Sequence, residues 1–363
     1  MPRTSGTRTA AERKPTQSTS HAVSAPPATK PTKTASQRRI RAPMARQCSI
    51  PLVPFLGAHL SAAGGVSRAA QAAAACGCQA LQLFLRPPGR WQANELPAAE
   101  VARFRVACEN AGIVGRCFAH APYLLNLASP DEALRRRSVT VLAEELRLAG
   151  TLGLAGVVLH PGSGTGSPRP EAVRRCRDAI AEALDLAGEG AAPLLLEGTA
   201  GAGEQLGRTV GELAALVPAS CRRQIGICLD TAHLWAAGHD LAGAGWDEVL
   251  AACRDHWQRP APDLLHANDT PVPCGSRRDR HAFPGEGLLG ERVFRRLLAD
   301  PNLAGVPVIL EIPPGRGNAN VVRALALLRR WQSTGPGGSG RRPSGRGRGA
   351  GGASPAAGSS PRR

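Results

Sequence analysis

Strand-like and helix-like segments alternate through eight pairs along residues 51–332, and five short apolar runs among them stop on a His, Glu or Asp. These two observations predict a closed barrel of eight parallel strands ringed by helices, a (β/α)8 or TIM barrel. The runs are 157–159 before His160, 194–196 before Glu197, 227–229 before Asp230, 264–265 before His266 and 308–310 before Glu311; a looser case, 117–119, precedes His120. The successive steps of 40, 37, 33, 36 and 45 residues each match one strand plus one helix. Continuous apolar runs of this length suit strands buried on both faces of a parallel sheet. A polar stop on each puts those groups at one end of the sheet, where barrel enzymes keep their chemistry. A doubly wound open sheet is the alternative. It is disfavoured because open sheets gather their sites at a switch point, not over successive strands.

In order, residues 55–60 read as the first strand and 66–76 as an Ala-rich helix, followed by a strand at 81–85 and a helix at 98–110. The strand at 114–119 leads to His120. The long helix after it is signalled by Ser129 as cap, Pro130 at the first helical position and Glu132 completing a capping box. The strands ending at His160 and Glu197 are followed by helices at 170–187 and 210–216. After the Asp230 strand comes a helical stretch at 246–257, and after the His266 strand a long polar loop and a helix at 289–298. A strand at 306–312 and a helix at 320–331 complete the set.

Charge divides the chain into three parts. Residues 1–50 hold ten Lys/Arg against the single acid Glu12, and residues 333–363 hold six Arg and no acid. Those ends supply +9 and +6 of the formal +17, leaving +2 for 51–332, so the high pI says little about the fold. Both ends are rich in Pro, Gly, Ser, Thr and Ala without apolar periodicity, and disordered basic tails are expected. The stretch Arg346-Gly347-Arg348-Gly349 reads equally as a sequence-independent nucleic-acid contact or a solvated linker. The N-terminal tail reads as a nuclear signal around 37–41, or as a mitochondrial or plastid transit peptide; an intracellular, and by preference nuclear, protein is expected. No run approaches 18 uncharged apolar residues, so no membrane span is expected. The ten cysteines contain no Cys-x-x-Cys pair, and several lie in apolar stretches; they are read as reduced and not as ligands.

Two short motifs enlarge the strand-end series. Asp230-Thr231-Ala232-His233 sets a carboxylate and an imidazole three apart, and Asp279-Arg280-His281 sets another pair two apart. The candidate ligands are then His120, His160, Glu197, Asp230, His233, His266, Asp279, His281 and Glu311. A lone strand-end His is ordinarily a core histidine bonded to backbone, and Asp-Thr-Ala-His alone reads as a turn. The set is different: five of the nine histidines in the chain fall at these places. Mixed imidazole and carboxylate ligands suit Zn2+, with Mn2+ or Fe2+ as alternatives, whereas carboxylates alone would favour Mg2+. If one carboxylate bridges, the set fills two to three metal sites and leaves open positions for water and substrate. His59, ending the first strand, is read as a supporting group behind the ligands.

The chain resembles the endonuclease IV family of apurinic/apyrimidinic-site repair enzymes over about residues 55–332. The resemblance is carried by Gly57-Ala58-His59-Leu60-Ser61-Ala62-Ala63-Gly64-Gly65, His120-Ala121-Pro122-Tyr123-Leu124-Leu125-Asn126-Leu127 and Leu159-His160-Pro161-Gly162-Ser163. Glu197-Gly198-Thr199-Ala200-Gly201, Leu229-Asp230-Thr231-Ala232-His233, His266-Ala267-Asn268-Asp269 and Gly275-Ser276-Arg277-Arg278-Asp279-Arg280-His281 also carry it, with Gly285-Glu286-Gly287 just after. It implies three zinc ions per chain. One would be held by His120, His160 and Glu197, a second by Glu197, Asp230, His266 and Glu311, and a third by His233, Asp279 and His281. Glu197 would bridge the first two beside a hydroxide that attacks the phosphate 5′ to an abasic sugar in duplex DNA. The products would be a 3′-hydroxyl and a 5′-deoxyribose phosphate, the incision step of base excision repair, with trimming of 3′ ends as a second activity and a monomer as the acting form. An abasic nucleotide costs less to extrude than an intact one, and a wedge must then fill the stack. Tyr123, the only tyrosine, and Leu124 match the family's inserted pair.

Two departures stand out. Residues 86–91 read Arg-Pro-Pro-Gly-Arg-Trp where the family reads close to Lys-Asn-x-Arg-x-Trp, so the DNA-reaching Arg is Gly89 here or is replaced by Arg90. Gly198 also replaces an Asn common after the bridging Glu. Two other readings of the chain are a metal-dependent sugar isomerase or epimerase of related barrel type, needing one or two metals, and a non-catalytic DNA-binding homologue.

Overall fold

The computed structural model describes residues 53–92 and 96–334. Of the tails expected at 1–50 and 333–363, the first and residues 335–363 lie outside the described residues, while Ser333 and Thr334 belong to the last helix. The strands are β1 (Phe55–His59), β2 (Ala80–Phe84), β3 (Cys117–His120), β4 (Gly156–Leu159), β5 (Leu194–Glu197), β6 (Ile225–Asp230), β7 (Leu264–His266) and β8 (Pro307–Leu310). Each pairs in parallel with the next, and β8 returns to β1 with Val308 opposite Leu56, closing the barrel as expected. The outer ring is α1 (Val66–Cys76), α2 (Ala98–Ala111), α3 (Glu132–Leu152), α4 (Arg169–Ala187), α5 (Val210–Ala215), α6 (Thr231–Ala237), α7 (Gly245–Ala252), α8 (Gly290–Leu298) and α9 (Ala319–Thr334).

Alternation along the strands sorts the apolar residues into two cores. Ala80, Phe118, Val158, Leu195, Cys228, Leu264 and Ile309 pack together inside the barrel. Their neighbours on the same strands, such as Leu81, Val157, Leu194, Leu196 and Leu265, join the larger layer between sheet and helices. Because side chains on one face recur every second residue, the inward position after each interior residue is His120, His160, Glu197, Asp230, His266 or Glu311. On β2 the same step leads from Ala80 to Gln82, and on β1 from Gly57 to His59. Gly57 is required there: a Cβ would stand 2.1 Å from the carbonyl oxygen of Ala80 on the paired strand.

Local structure departs from expectation in two places. The segment Asp230-Thr231-Ala232-His233 opens a short helix, α6, and is not an isolated turn. Asp230 Oδ1 accepts from the backbone N–H groups of Ala232 and His233 at 2.6 and 2.9 Å, satisfying donors that a helix start leaves free. The cap of α3 is Asp131, not Ser129. The Asp131 carboxylate accepts from the Ala133 and Leu134 N–H groups, while Ser129 Oγ accepts from the Asp131 N–H one turn earlier. A carboxylate at the cap also suits the positive end of the helix dipole. Asp131→Ala should therefore lower unfolding free energy by about 1 kcal/mol, read as an earlier urea midpoint at unchanged slope; an unaltered midpoint would contradict this assignment.

Candidate metal centre

The inward groups at the strand ends converge at the C-terminal mouth of the barrel. Among the described residues, four groups of side chains each offer ligand atoms within 4.8 Å of one another: His120, His160 and Glu197; Glu197, Asp230, His266 and Glu311; Asp230, His233 and His281; and, below the second, Glu197, Cys228 and His266. The first two groups coincide with sets expected from the resemblance. The third places Asp230 where Asp279 was expected. Asp279 lies at the rim, its side chain 51% exposed, 3.2 Å from both His233 Nε2 and His281 Nε2. All the candidate ligands thus come together, with Glu197 shared by three of these groups and Asp230 by two.

Glu197 is fully buried and divides its oxygens. Oε2 lies 3.1 Å from His120 Nε2 and 3.3 Å from His160 Nε2, while Oε1 lies 3.0 Å from His266 Nδ1. Burial pushes its carboxyl pKa up, but His160, His266 and His120 outweigh this and hold it well below the usual range. Glu311 behaves alike, with burial opposed chiefly by His266. The imidazoles answer in the opposite sense. Burial alone would lower them, yet Asp230, Asp279 and Glu197 raise His233 to about 10, and Asp230 and Asp279 raise His281 to about 9. His160 is the exception, lowered by burial to about 4. A pocket whose acids stay ionised and draw protons onto neighbouring imidazoles is one that demands positive charge.

The orientation of the imidazoles fits metal cations better than protons. His120 Nδ1 donates to the Ala121 carbonyl at 2.7 Å, His233 Nδ1 to the Gly198 carbonyl at 2.8 Å, and His266 Nε2 to Gln82 Oε1 at 2.8 Å. Each ring is therefore fixed with its other nitrogen turned toward the carboxylates, the arrangement by which ligating histidines are held. His233 Nε2 and His281 Nε2 are buried beside Asp279 yet make no hydrogen bond. The residues present thus suit borderline cations with nitrogen and oxygen ligands.

Two supporting residues were not anticipated from sequence. Gln82, fully buried on β2, accepts from His266 and donates to Glu311 Oε1 at 2.6 Å and to His59 Nδ1 at 3.0 Å. Asn268 donates to Asp230 Oδ2 at 2.5 Å and Glu311 Oε2 at 3.3 Å, and its Oδ1 accepts from the Glu311 N–H. The available signal for Gln82 was a lone amide inside the apolar run Leu81-Gln82-Leu83-Phe84. His59 Nδ1 lies 3.6 Å from Glu311 Oε1. Gly198 contributes only its carbonyl to His233, and a Cβ there would meet nothing closer than Leu229 at 3.4 Å. Cys228 sits below His266, Sγ 3.5 Å from Nε2, with burial pushing its thiol up to about 12. Tyr123 is 63% exposed, its ring edge against Phe84 and His120; Leu124 is half-buried beside it, and Arg90 is exposed on the loop after β2.

Gln82 touches ligands from two strands, so Gln82→Leu should free His266 to rotate and strip a donor from Glu311. The expected result is roughly 10- to 100-fold weaker metal retention in a chelator competition, with the circular dichroism spectrum of the fold unchanged. Wild-type retention would remove Gln82 from the centre.

The chain matches the model of the "Xylose isomerase-like TIM barrel" family over residues 70–331. It is 42% identical over 283 residues to a "Probable endonuclease 4" of Nitratidesulfovibrio vulgaris (strain DP4), covering 77% of this chain and 99% of the relative. Among solved structures, endonuclease IV from Thermus thermophilus superposes with a TM-score of 0.69 at 37% identity, covering 77% of this chain and 99% of that one. A D-tagatose 3-epimerase-like protein, at 18% identity and a TM-score of 0.57, covering 77% of this chain and 97% of its own, shares the fold alone. The expected nuclear location is corrected here: the similar proteins come from bacteria and from an archaeon, Methanoculleus marisnigri, organisms without nuclei. That expectation rested on the basic charge of the N-terminal tail, and charge does not specify an address. With a family model over most of its length and relatives above 40% identity matched nearly end to end, the chain belongs to the endonuclease IV family.

Proposed function

We propose that the chain is a zinc-dependent endonuclease that hydrolyses the phosphodiester 5′ to an abasic site in duplex DNA. It leaves a 3′-hydroxyl and a 5′-deoxyribose phosphate, trims 3′ ends at the same centre, and acts as a monomer. The observation that carries this reading is the meeting of the ligand groups through two shared carboxylates, Glu197 and Asp230. His120, His160 and Glu197 would hold one ion, and Glu197, Asp230, His266 and Glu311 a second. His233 and His281, with Asp279 at the rim and Asp230 behind, would hold a third. When bound, such ions acidify water and neutralise charge on the attacking and leaving oxygens of an in-line displacement.

The protein's own groups do the rest. Glu197 turns one oxygen toward His120 and His160 and the other toward His266, and would hold cations on both sides. Gln82 and Asn268 hold the ligands in place, which limits reorganisation during reaction. Tyr123 stands on the same mouth with its ring supported by Phe84 and His120, placed to fill the gap left by an extruded sugar. A cleft of about 500 Å3 runs past Tyr123, Asn126, His160, Gln205, His233 and Asp279, a volume that accommodates a nucleotide.

The deciding assay uses a duplex with one tetrahydrofuran abasic analogue, with and without a strong chelator. A chelator-sensitive nick 5′ to the analogue, from protein carrying close to three zinc ions per chain, is expected; no such nick sinks the reading, and one or two metals would favour a sugar isomerase or epimerase. Tyr123→Ala should retain its metals yet lose about 10- to 100-fold in kcat/KM, on the scale of a lost stacking contact of ~1–3 kcal/mol. An unchanged kcat/KM on the abasic duplex would deny Tyr123 a part in lesion reading.

A further inference from the structure

The loop after β2, which departs from the family pattern, is built on a buried ion pair. Arg86 is 1% exposed and Glu145, on α3, is fully buried. Arg86 Nε donates to Glu145 Oε1 at 2.5 Å, Nη2 to Glu144 Oε2 at 3.1 Å, and Nη1 to the backbone carbonyl of Trp91. The Trp91 ring is held in turn by Arg137, also on α3, whose guanidinium lies 4.3 Å from the ring centre. Both ends of the 87–90 segment are therefore clamped to one helix, and the Arg90 N–H closes a turn onto the Pro87 carbonyl at 2.9 Å. At the tip, Gly89 and Arg90 are exposed, and nothing lies within 4 Å of a Cβ built on Gly89.

Stability does not call for this arrangement. Desolvating a guanidinium and a carboxylate costs as much as their attraction returns, and an apolar pair of similar volume does at least as well. What an arginine adds over an apolar residue is the bond to the Trp91 carbonyl, which sets the path of the backbone just beyond Arg90. A guanidinium on a rigid loop also loses less conformational freedom when it meets a phosphate. The clamping helix follows directly from the loop that carries Tyr123 and Leu124, so the pair ties together two loops at the mouth of the barrel.

We propose that Arg86, anchored by Glu145, is a positioning residue for DNA that fixes the 87–91 loop so that Arg90 presents its guanidinium to the duplex. The inference rests on the abasic-site reading above. Its test is a double-mutant cycle in the full, metal-loaded chain, measuring Kd and kcat on the tetrahydrofuran duplex. Arg86→Met alone strands a buried carboxylate, so the paired change Arg86→Met with Glu145→Met is used to keep the fold. Arg90→Ala and the paired change should each weaken binding by about tenfold, while combining them weakens it no further. Metal content per chain and the circular dichroism spectrum should match those of the parent, and the loss should fall on Kd more than on kcat. Parental affinity in the paired variant, or an Arg90→Ala penalty undiminished in its background, overturns the inference alone. A parent chain that neither binds nor nicks the duplex overturns the abasic-site reading and the inference with it.

Discussion

A carboxylate buried at the mouth of a barrel must be balanced by positive charge, and Glu197 imposes that condition on everything around it. It is fully buried, and no arginine or lysine approaches it among the described residues. Its balance comes from imidazoles on β3, β7 and the loop after β4; the second nitrogens of His120 and His266 are tied to the Ala121 carbonyl and to Gln82, whereas His160 Nδ1 makes no hydrogen bond. Closing the barrel is what makes this feasible. Parallel strands in matched register bring Asp230 opposite His266 and Glu197 opposite Cys228, so groups from strands distant in sequence share one small volume. The fold supplies proximity, and the charge imbalance supplies affinity for cations.

The surroundings show how that imbalance is contained. Below the ligands, the barrel interior is filled by Phe118, Val158, Leu195, Leu264 and Ile309, which exclude water and keep the carboxylates from relaxing downward. Above, the loops are pinned by backbone bonds. Asp269 alone accepts from the N–H groups of Thr270, Gly285, Gly287, Leu289 and Gly290, folding the long connection after β7 that carries Asp279 and His281. Arg86 does comparable work on the opposite loop from a buried position. The mouth is thus a ring of loops held from beneath, with the exposed Tyr123 and Arg90 at its rim.

How much of this was legible in the sequence follows from range. Strand ends were readable because an apolar run and its polar stop are adjacent, and the motif pairs at Asp230 and Asp279 were readable for the same reason. The start of α6 was missed because the Asp230 carboxylate serves both the helix cap and the ligand cluster, and only the second role leaves a mark in the spacing. The cap of α3 moved from Ser129 to Asp131 because either side chain can accept a backbone N–H, and the geometry after Pro130 chose between them. Gln82 was overlooked since one amide in an apolar run carries no periodic signal.

The sequence by itself determined that eight strands would close and that ligand-type residues would stand at their C-terminal ends, because side-chain alternation and element length are local properties. The tertiary structure decided which ligands share a cluster, that Asp230 reaches the third group while Asp279 sits half-exposed at the rim, and that Arg86 is buried against a glutamate 59 residues away. Those outcomes depend on register and loop path between elements far apart in the chain. No local pattern encodes them, since they are settled by packing only once the barrel has closed.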